Sequence, residues 1–349
     1  MLCPVASQTG QTVKEVKSGR CTSAQLIKTA ADCQAAAKVL GLAGTVFSKV
    51  TWVDHPPGCS WYRYFASGTL LFNTNTASTK ACNLPGLIVG IGGGSTMDIS
   101  KAVSIMLTND GSSQLYQGWD LVKNAPIPKM GIPTLSGSGS EASRTAVLSS
   151  VDKKYGINSD QSMFDIVMMD PDLLEHVTGS QRFFTGMDCY IHDVEASEGS
   201  FINSFGMAYA QQSLELCTKV FLKEGGTNED LMVASYLGGA SVTNSEAGVV
   251  HAMSYGISLV LGYRHAIANC IVFRQLEEFY PKHVPVFFKM LELNNIKLPD
   301  NVTKSLSDDE MSSMIKMTYR MERPLLSALG ENWKDILNEK KLEKIYSKM

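Results

Sequence analysis

The sequence predicts an α/β fold followed by an all-α one, with a small Cys-rich module in front. Three observations carry this. From Leu84 onward, apolar strand-like runs alternate with glycine turns and helical stretches, the order of a parallel α/β sheet. After about residue 181 the pattern becomes helical. Before residue 83 cysteines are dense: Cys3, Cys21, Cys33, Cys59 and Cys82, against only Cys189, Cys217 and Cys270 in the remainder. Domains of 1–82, 83–180 and 181–349 are therefore expected, and 349 residues leave room for all three.

Composition narrows the class. Hydrophobic residues make up 44% and charged ones 19%, which predicts a globular chain. No apolar run approaches the ~20 residues needed to span a bilayer. The opening "MLCPVASQTGQTVKEVK" has no basic stretch followed by an apolar one, so a cytoplasmic chain is expected. The net charge of −3 divides into +5 over residues 1–82 and −8 over the rest. Neither part is basic enough for nucleic acid. The expected partner is a small molecule, with no membrane and with a homo-oligomer left open.

In the first module, "TSAQLIKTAADCQAAAKVLGL" (22–42) has helical spacing, and Gly41 is its stop. "TVFSKVTWV" and "WYRYFASGTLLFNTN" read as short strands around the turn "DHPPGCS". Cysteines this dense suggest a disulfide, with at least one pair among Cys21, Cys33, Cys59 and Cys82 within reach. The run "C…C…AAKVLGL…PPGC…LLFNTN…C" resembles a small Cys-rich module of algal multidomain proteins.

The next stretch repeats one order. "LIVGIGGGSTMDISKAVSIML" is a strand, a glycine turn and a helix, with Ser95 or Thr96 placed to cap the helix. "KMGIPTLSGSGSEASRTAVL" is a strand and a Gly/Ser turn, and "DIVMMDPDLL" ends a further apolar run. Helices are then expected over 184–198, 203–222, 228–244, 246–261, 267–279, 283–293 and 308–320. The last opens on "SDDE", a Ser-x-x-Glu capping box.

Three constellations carry chemistry. In "GIGGGSTMD" (90–98), consecutive glycines let backbone N–H groups approach a phosphate at the positive end of a helix. A plain tight turn is the other reading, since Ser95 stands where G-x-G-x-x-G has its last glycine. In "PTLSGSGSEAS" (133–143), hydroxyls and glycines make either a second polar cradle or an ordinary Gly/Ser loop. The third is "MDCYIHDVEA", where Asp188 and His192 stand four apart, on one face of a helix. His251 and His265 follow, fourteen residues apart. On one straight helix they would be about 21 Å apart, whereas metal ligands lie roughly 2.0–2.2 Å from the ion. If both bind one metal, the helix breaks between them, and Gly262 is the place. One oxygen and three imidazoles suit Fe(II) or Zn(II). The alternative is three histidines satisfied in helix packing.

Residues 83–349 resemble the iron-containing alcohol dehydrogenase family. "GGGSTMD" resembles its cofactor turn, "PTLSGSGSE" its second loop, and Asp188, His192, His251 and His265 its metal ligands. The resemblance implies a truncated parallel α/β nucleotide-binding domain with NAD(P) across it, then a helical metal-binding domain, with the substrate in the cleft between. By the same resemblance, Gly93, Gly94, Ser95 and Asp98 line the pyrophosphate side, and Thr134, Ser136 and Ser138 line the other cradle. Lys154 is a further cofactor residue carried over. Tyr255 stands where the family often has a second histidine near the reacting carbon. It either faces the substrate or packs as a buried tyrosine. "HAMSYGISLVLGYRH", "MLTN…LYQGWDL" and "TGMDCYIHDVE" are similar to the 3-deoxy-manno-octulosonate (Kdo) 8-oxidase branch, which implies oxidation of a terminal hydroxymethyl to an aldehyde. The alternatives are a dehydrogenase of a simple alcohol and a catalytically impaired binding or interaction protein. The Cys-rich stretch does not match the family's opening strands, which hold its ribose-recognising acid. Weak NAD(H) binding and slow Kdo turnover are therefore expected.

Overall fold

The computed structural model describes residues 86–149 and 154–349. It also describes strands at Leu2–Ser7 (β1), Gly10–Glu15 (β2), Val46–Val50 (β3), Gly58–Tyr64 (β4) and Ser67–Asn73 (β5). The chain divides into two compact units, Met1–Gly86 and Leu87–Met349. In the first unit β1 and β2 form an antiparallel pair, and β5 lies between antiparallel β4 and parallel β3. The Ala-rich helix expected at 22–42 lies outside the described residues, and so do the cysteine side chains of the expected disulfide.

The second unit opens with β6 (Ile88–Gly92), the helix α1 (Gly94–Met106) and a short strand, β7 (Gly118–Trp119). Strands β8 (Lys129–Pro133), β9 (Thr145–Ser149), β10 (Lys154–Asn158) and β11 (Ile166–Val167) follow. One sheet runs β11-β8-β6, all parallel. The other runs β7-β10-β9, with β10 parallel to β7 and antiparallel to β9.

Two glycines explain how α1 lies on the parallel sheet. Gly90 and Gly131 are register partners on neighbouring strands. A Cβ at Gly90 would sit 2.2 Å from the Ser100 hydroxyl, and one at Gly131 would sit 3.2 Å from the Met97 sulfur. Side chains on that sheet face would push the helix off. Alternate residues point the other way. Val89 pairs in register with Met130, and Met130 with Ile166; Ile91 pairs with Ile132. Among the described residues that opposite face is apolar and open: Val89, Ile91 and Ile166 are about half exposed.

The helical part runs through α2 (Gly179–Glu198), α3 (Ser204–Phe221), α4 (Asn228–Thr243), α5 (Val249–Leu261) and α6 (His265–Phe273). It continues as α7 (Val284–Leu293), α8 (Asp308–Arg320), α9 (Glu322–Leu329), α10 (Trp333–Ile336) and α11 (Glu339–Tyr346). The Ser307–Glu310 capping box is formed at the start of α8. The expected helix at 267–279 instead starts at His265 and ends at Phe273, because the backbone there tightens into i→i−3 turns, Gln275 to Val272 and Leu276 to Phe273. One large core fills this part, with Phe183, Ile191, Phe221, Val250, Phe273 and Tyr346 fully or nearly fully buried. Among the described residues, no helix is long and apolar enough to cross a membrane.

The expected α/β-then-α order is therefore the observed one. One local expectation is corrected. Neither Ser95 nor Thr96 caps α1: its N-cap is Gly93, whose carbonyl accepts from Thr96 and Met97, and no side chain caps it. The glycine run lets the chain enter the helix before either hydroxyl is reached. At Gly92, φ is +155°, and a Cβ would meet the Thr96 hydroxyl at 2.4 Å.

Candidate metal and cofactor site

Asp188, His192 and Glu195 project from α2 at i, i+4 and i+7, one side of the helix. His251 and Tyr255 stand on α5. That helix ends at Gly262, in left-handed conformation with φ 72°. The chain turns there, and His265 is the first residue of α6. The turn brings together residues that a straight helix would hold apart.

Asp188, His251 and His265 each offer a ligand atom, and these atoms all lie within 4.8 Å of one another. Asp188 Oδ1 is 3.5 Å from His251 Nε2 and 3.7 Å from His265 Nε2. His192 stands beside this group and not within it. Its ring is stacked on that of His251, centroids 4.1 Å apart. The Tyr255 ring centroid is 5.5 Å from that of His265, so the tyrosine borders the cluster.

Charge in the cluster is set by burial and neighbours. Burial alone would raise the Asp188 carboxyl. The imidazoles of His192, His265 and His251 outweigh it and hold the group well below the usual carboxylate range. Burial pushes His192 down to about 4, helped by the charge of His251, which leaves it neutral at pH 7. Burial also presses His251 down, but the Glu195 and Asp188 carboxylates override it and raise it to about 9.

Glu195 is a residue that reading the sequence missed. One of its oxygens bonds His251 Nδ1, and the other accepts from the Val250 backbone N–H and from the Tyr280 hydroxyl. A carboxylate behind Nδ1 directs the proton there and leaves Nε2 to face Asp188. The signal was present, since Glu195 lies three residues after His192 on the same helical face. Asn269 was missed too. It stands four residues after His265, and its amide nitrogen is 2.6 Å from Asp188 Oδ1.

The two loops expected to hold the cofactor meet each other. Thr134 N–H donates to the Gly92 carbonyl. A Cβ on Gly94 would lie 2.6 Å from the Ser138 hydroxyl, and one on Gly93 would lie 2.9 Å from Leu135. Ser95 is exposed at the open end of α1, where helical N–H groups point outward. Asp98 accepts from the Ser140 hydroxyl at 2.6 Å. Ser136 is 2% exposed, with no hydrogen-bond partner for its hydroxyl among the described residues. Lys154 begins β10, and its side chain lies outside the described residues.

The second loop also clamps the two layers together. The N–H groups of Gly137 and Gly139 donate to the Ser235 hydroxyl on α4, which donates to Glu141. A Cβ at Gly137 would fall 1.6 Å from the Thr185 carbonyl oxygen, and one at Gly139 would fall 2.5 Å from the Gly239 Cα. Backbone approaches this close require glycine.

Comparison with known proteins follows the same division. A model of iron-containing alcohol dehydrogenases matches residues 74–171, and one of the C-terminal part of that family matches 183–342. The chain is 30% identical over 190 residues to a sulfoacetaldehyde reductase from Bilophila wadsworthia, covering 52% of this chain and 49% of that one. It is 28% identical over 192 residues to an NAD-dependent methanol dehydrogenase from Bacillus methanolicus, covering 53% and 50%. The chain thus spans about half the length of these curated relatives. An iron-containing alcohol dehydrogenase from Thermotoga maritima superposes with a TM-score of 0.63 at 25% identity, over 74% of this chain and 73% of the other. With both family models matched in order along its length, the chain belongs to the iron-containing alcohol dehydrogenase family.

Proposed function

We propose that the protein is a metal-dependent, NAD(P)-linked alcohol dehydrogenase. The observation that carries this is the convergence of Asp188, His251 and His265 from three separate helices onto one point, in a member of that family. The donor set fits Fe(II) or Zn(II): a carboxylate oxygen held ionised, and imidazole nitrogens with Glu195 fixing one tautomer. Asp188, His251 and His265 would hold the cation, with His192, stacked on His251, as the proposed fourth ligand. Bound there, the cation supplies Lewis acidity toward a substrate hydroxyl. Gly93, Gly94, Ser95 and Asp98 at the α1 terminus, with Thr134, Ser136 and Ser138 on the facing loop and Lys154 on β10, are the residues proposed to hold the dinucleotide, which would supply the hydride acceptor.

For the substrate we propose the terminal hydroxymethyl of Kdo or a similar sugar acid. The support is Tyr255, which places a phenol beside His265. Its surroundings raise its pKa, chiefly by burial, so it stays protonated and can donate to a substrate oxygen. A second reading, oxidation of a simple alcohol, draws on the relative named for methanol.

The test is metal analysis of the purified protein with NAD(H) and NADP(H) titration, then rates on Kdo against methanol and ethanol. One cation per chain and a preference for Kdo are expected, the preference falling in Tyr255→Phe. Protein that takes up neither iron nor zinc sinks the metal reading. A faster rate on ethanol than on Kdo sinks the substrate assignment alone.

A further inference from the structure

Asn269 is wholly buried, at 0% exposure. Its Nδ2 lies 2.6 Å from Asp188 Oδ1, 3.1 Å from His251 Nε2 and 3.4 Å from His265 Nε2. These belong to the three residues whose ligand atoms cluster within 4.8 Å. The opposite end of the amide, Oδ1, is buried with no hydrogen-bond partner among the described residues. The side chain is therefore held by its nitrogen end alone, and by the cation's own ligands.

An amide NH2 has two N–H donors and no lone pair to offer a metal. Its nitrogen sits 2.6 to 3.4 Å from all three ligand atoms, in the space that a cation roughly 2.0–2.2 Å from each of them would fill. Amide nitrogen and cation cannot occupy that space together. We propose that Asn269 is an internal competitor for the cation. Its hydrogen bond to Asp188 and its contacts with His251 and His265 hold the three in register before a cation arrives, and the cation has to displace it. This rests on the metal reading above. The residue thereby keeps the site assembled and sets an upper limit on its affinity. Hydrogen bonds from an amide to charged groups are strong enough to make that limit matter by about tenfold or more.

The test uses full-length protein stripped with a chelator and titrated with Zn(II) against a chromophoric competitor, alongside denaturant unfolding of the stripped protein. Asn269→Ala is expected to bind Zn(II) about tenfold or more tightly than the parent and to unfold more easily when stripped. Asn269→Asp, which replaces the donor by an acceptor, is expected to shift both readouts further the same way. A folded Asn269→Ala that binds Zn(II) equally or more weakly overturns the proposal, because the amide is then a supporting donor. If Asn269→Ala does not fold, Asn269→Asp decides alone: stripped stability equal to the parent overturns it. Absence of Zn(II) binding by the parent and both variants would instead break the metal reading, and the competitor idea with it.

Discussion

The α/β stretch from Leu87 to Thr178 and the helical stretch from Gly179 onward bury their apolar side chains differently. Helices α2 to α11 close around one core, with Ile191, Val250, Ile271, Phe287 and Leu342 at 0% exposure. Most of the exposed large hydrophobics of the described chain lie in the α/β stretch, although it is the shorter: Val89, Ile91, Ile99, Val103 and Leu107 among them. The reason is architectural. A helix buries one stripe and needs one neighbour. A parallel sheet is apolar on both faces and needs two layers. Here α1 covers the face of Gly90 and Gly131, and among the described residues the face of Val89, Ile91 and Ile166 is open. Among the described residues, strand β6 is also a sheet edge. The helical part carries the metal-type cluster on a closed core, while the α/β part presents its glycine turn from a half-covered sheet.

The largest expected effect lies where the two parts join. Gly137→Ala puts a Cβ onto the Thr185 carbonyl and strains a φ of +142°. A loss of about 3 kcal/mol or more is expected by denaturant unfolding. A change below about 0.5 kcal/mol, the size of an ordinary surface substitution, would mean that the two parts are not clamped there, and the contrast between them would lose its hinge.

A pH series probes the closed side. His251 is raised from 6.5 to about 9, so its folded form holds a proton more tightly than the unfolded chain does. That contribution is complete below pH 6.5 and is lost as pH rises through about 9. In chelator-stripped protein it amounts to roughly 3 kcal/mol. Comparing unfolding at pH 6 and pH 9.5 in the parent and in Glu195→Gln should show a smaller pH dependence in the variant, which lacks one of the two carboxylates that hold the proton. Equal pH dependence in the two proteins would remove Glu195 from the cluster.

The same Glu195→Gln protein should bind Zn(II) or Fe(II) about 10- to 100-fold more weakly, the usual cost of losing the partner behind a ligating imidazole. Competition titration measures this, and an unchanged affinity would show that His251 is positioned by packing alone.

The smallest effect belongs to the open face. Val89→Lys and Ile91→Lys should alter stability by no more than about 0.5 kcal/mol and should reduce self-association in sedimentation, since edge lysines oppose strand pairing. A large destabilisation would reveal that this sheet face is covered in solution.

Much of the helical part could be read from residue patterns. The α8 capping box, α3, α4 and the i, i+4 spacing of Asp188 and His192 are local features, dictated by 3.6-residue periodicity and by side chains that reach their own backbone. The entry to α1 was misread because three glycines allow several start points, and local pattern does not choose among them. Glu195 lay in plain view on the Asp188 face, but a carboxylate seven residues along looks like any helical surface acid until His251 is brought against it.

What the sequence determined by itself is the order of strand, glycine turn and helix, and the helix break at Gly262, because these depend on backbone freedom within a few residues. Only the tertiary structure decided which atoms meet. Three helices bring Asp188, His251 and His265 to one point, Glu195 orients one imidazole from behind, and Asn269 sits among the ligand atoms. It also decided that the second Gly/Ser loop joins the two layers, through Gly137 against Thr185 and Gly139 against Gly239. These are contacts between segments far apart along the chain. Their distances are set by how the core packs, which no window of neighbouring residues encodes.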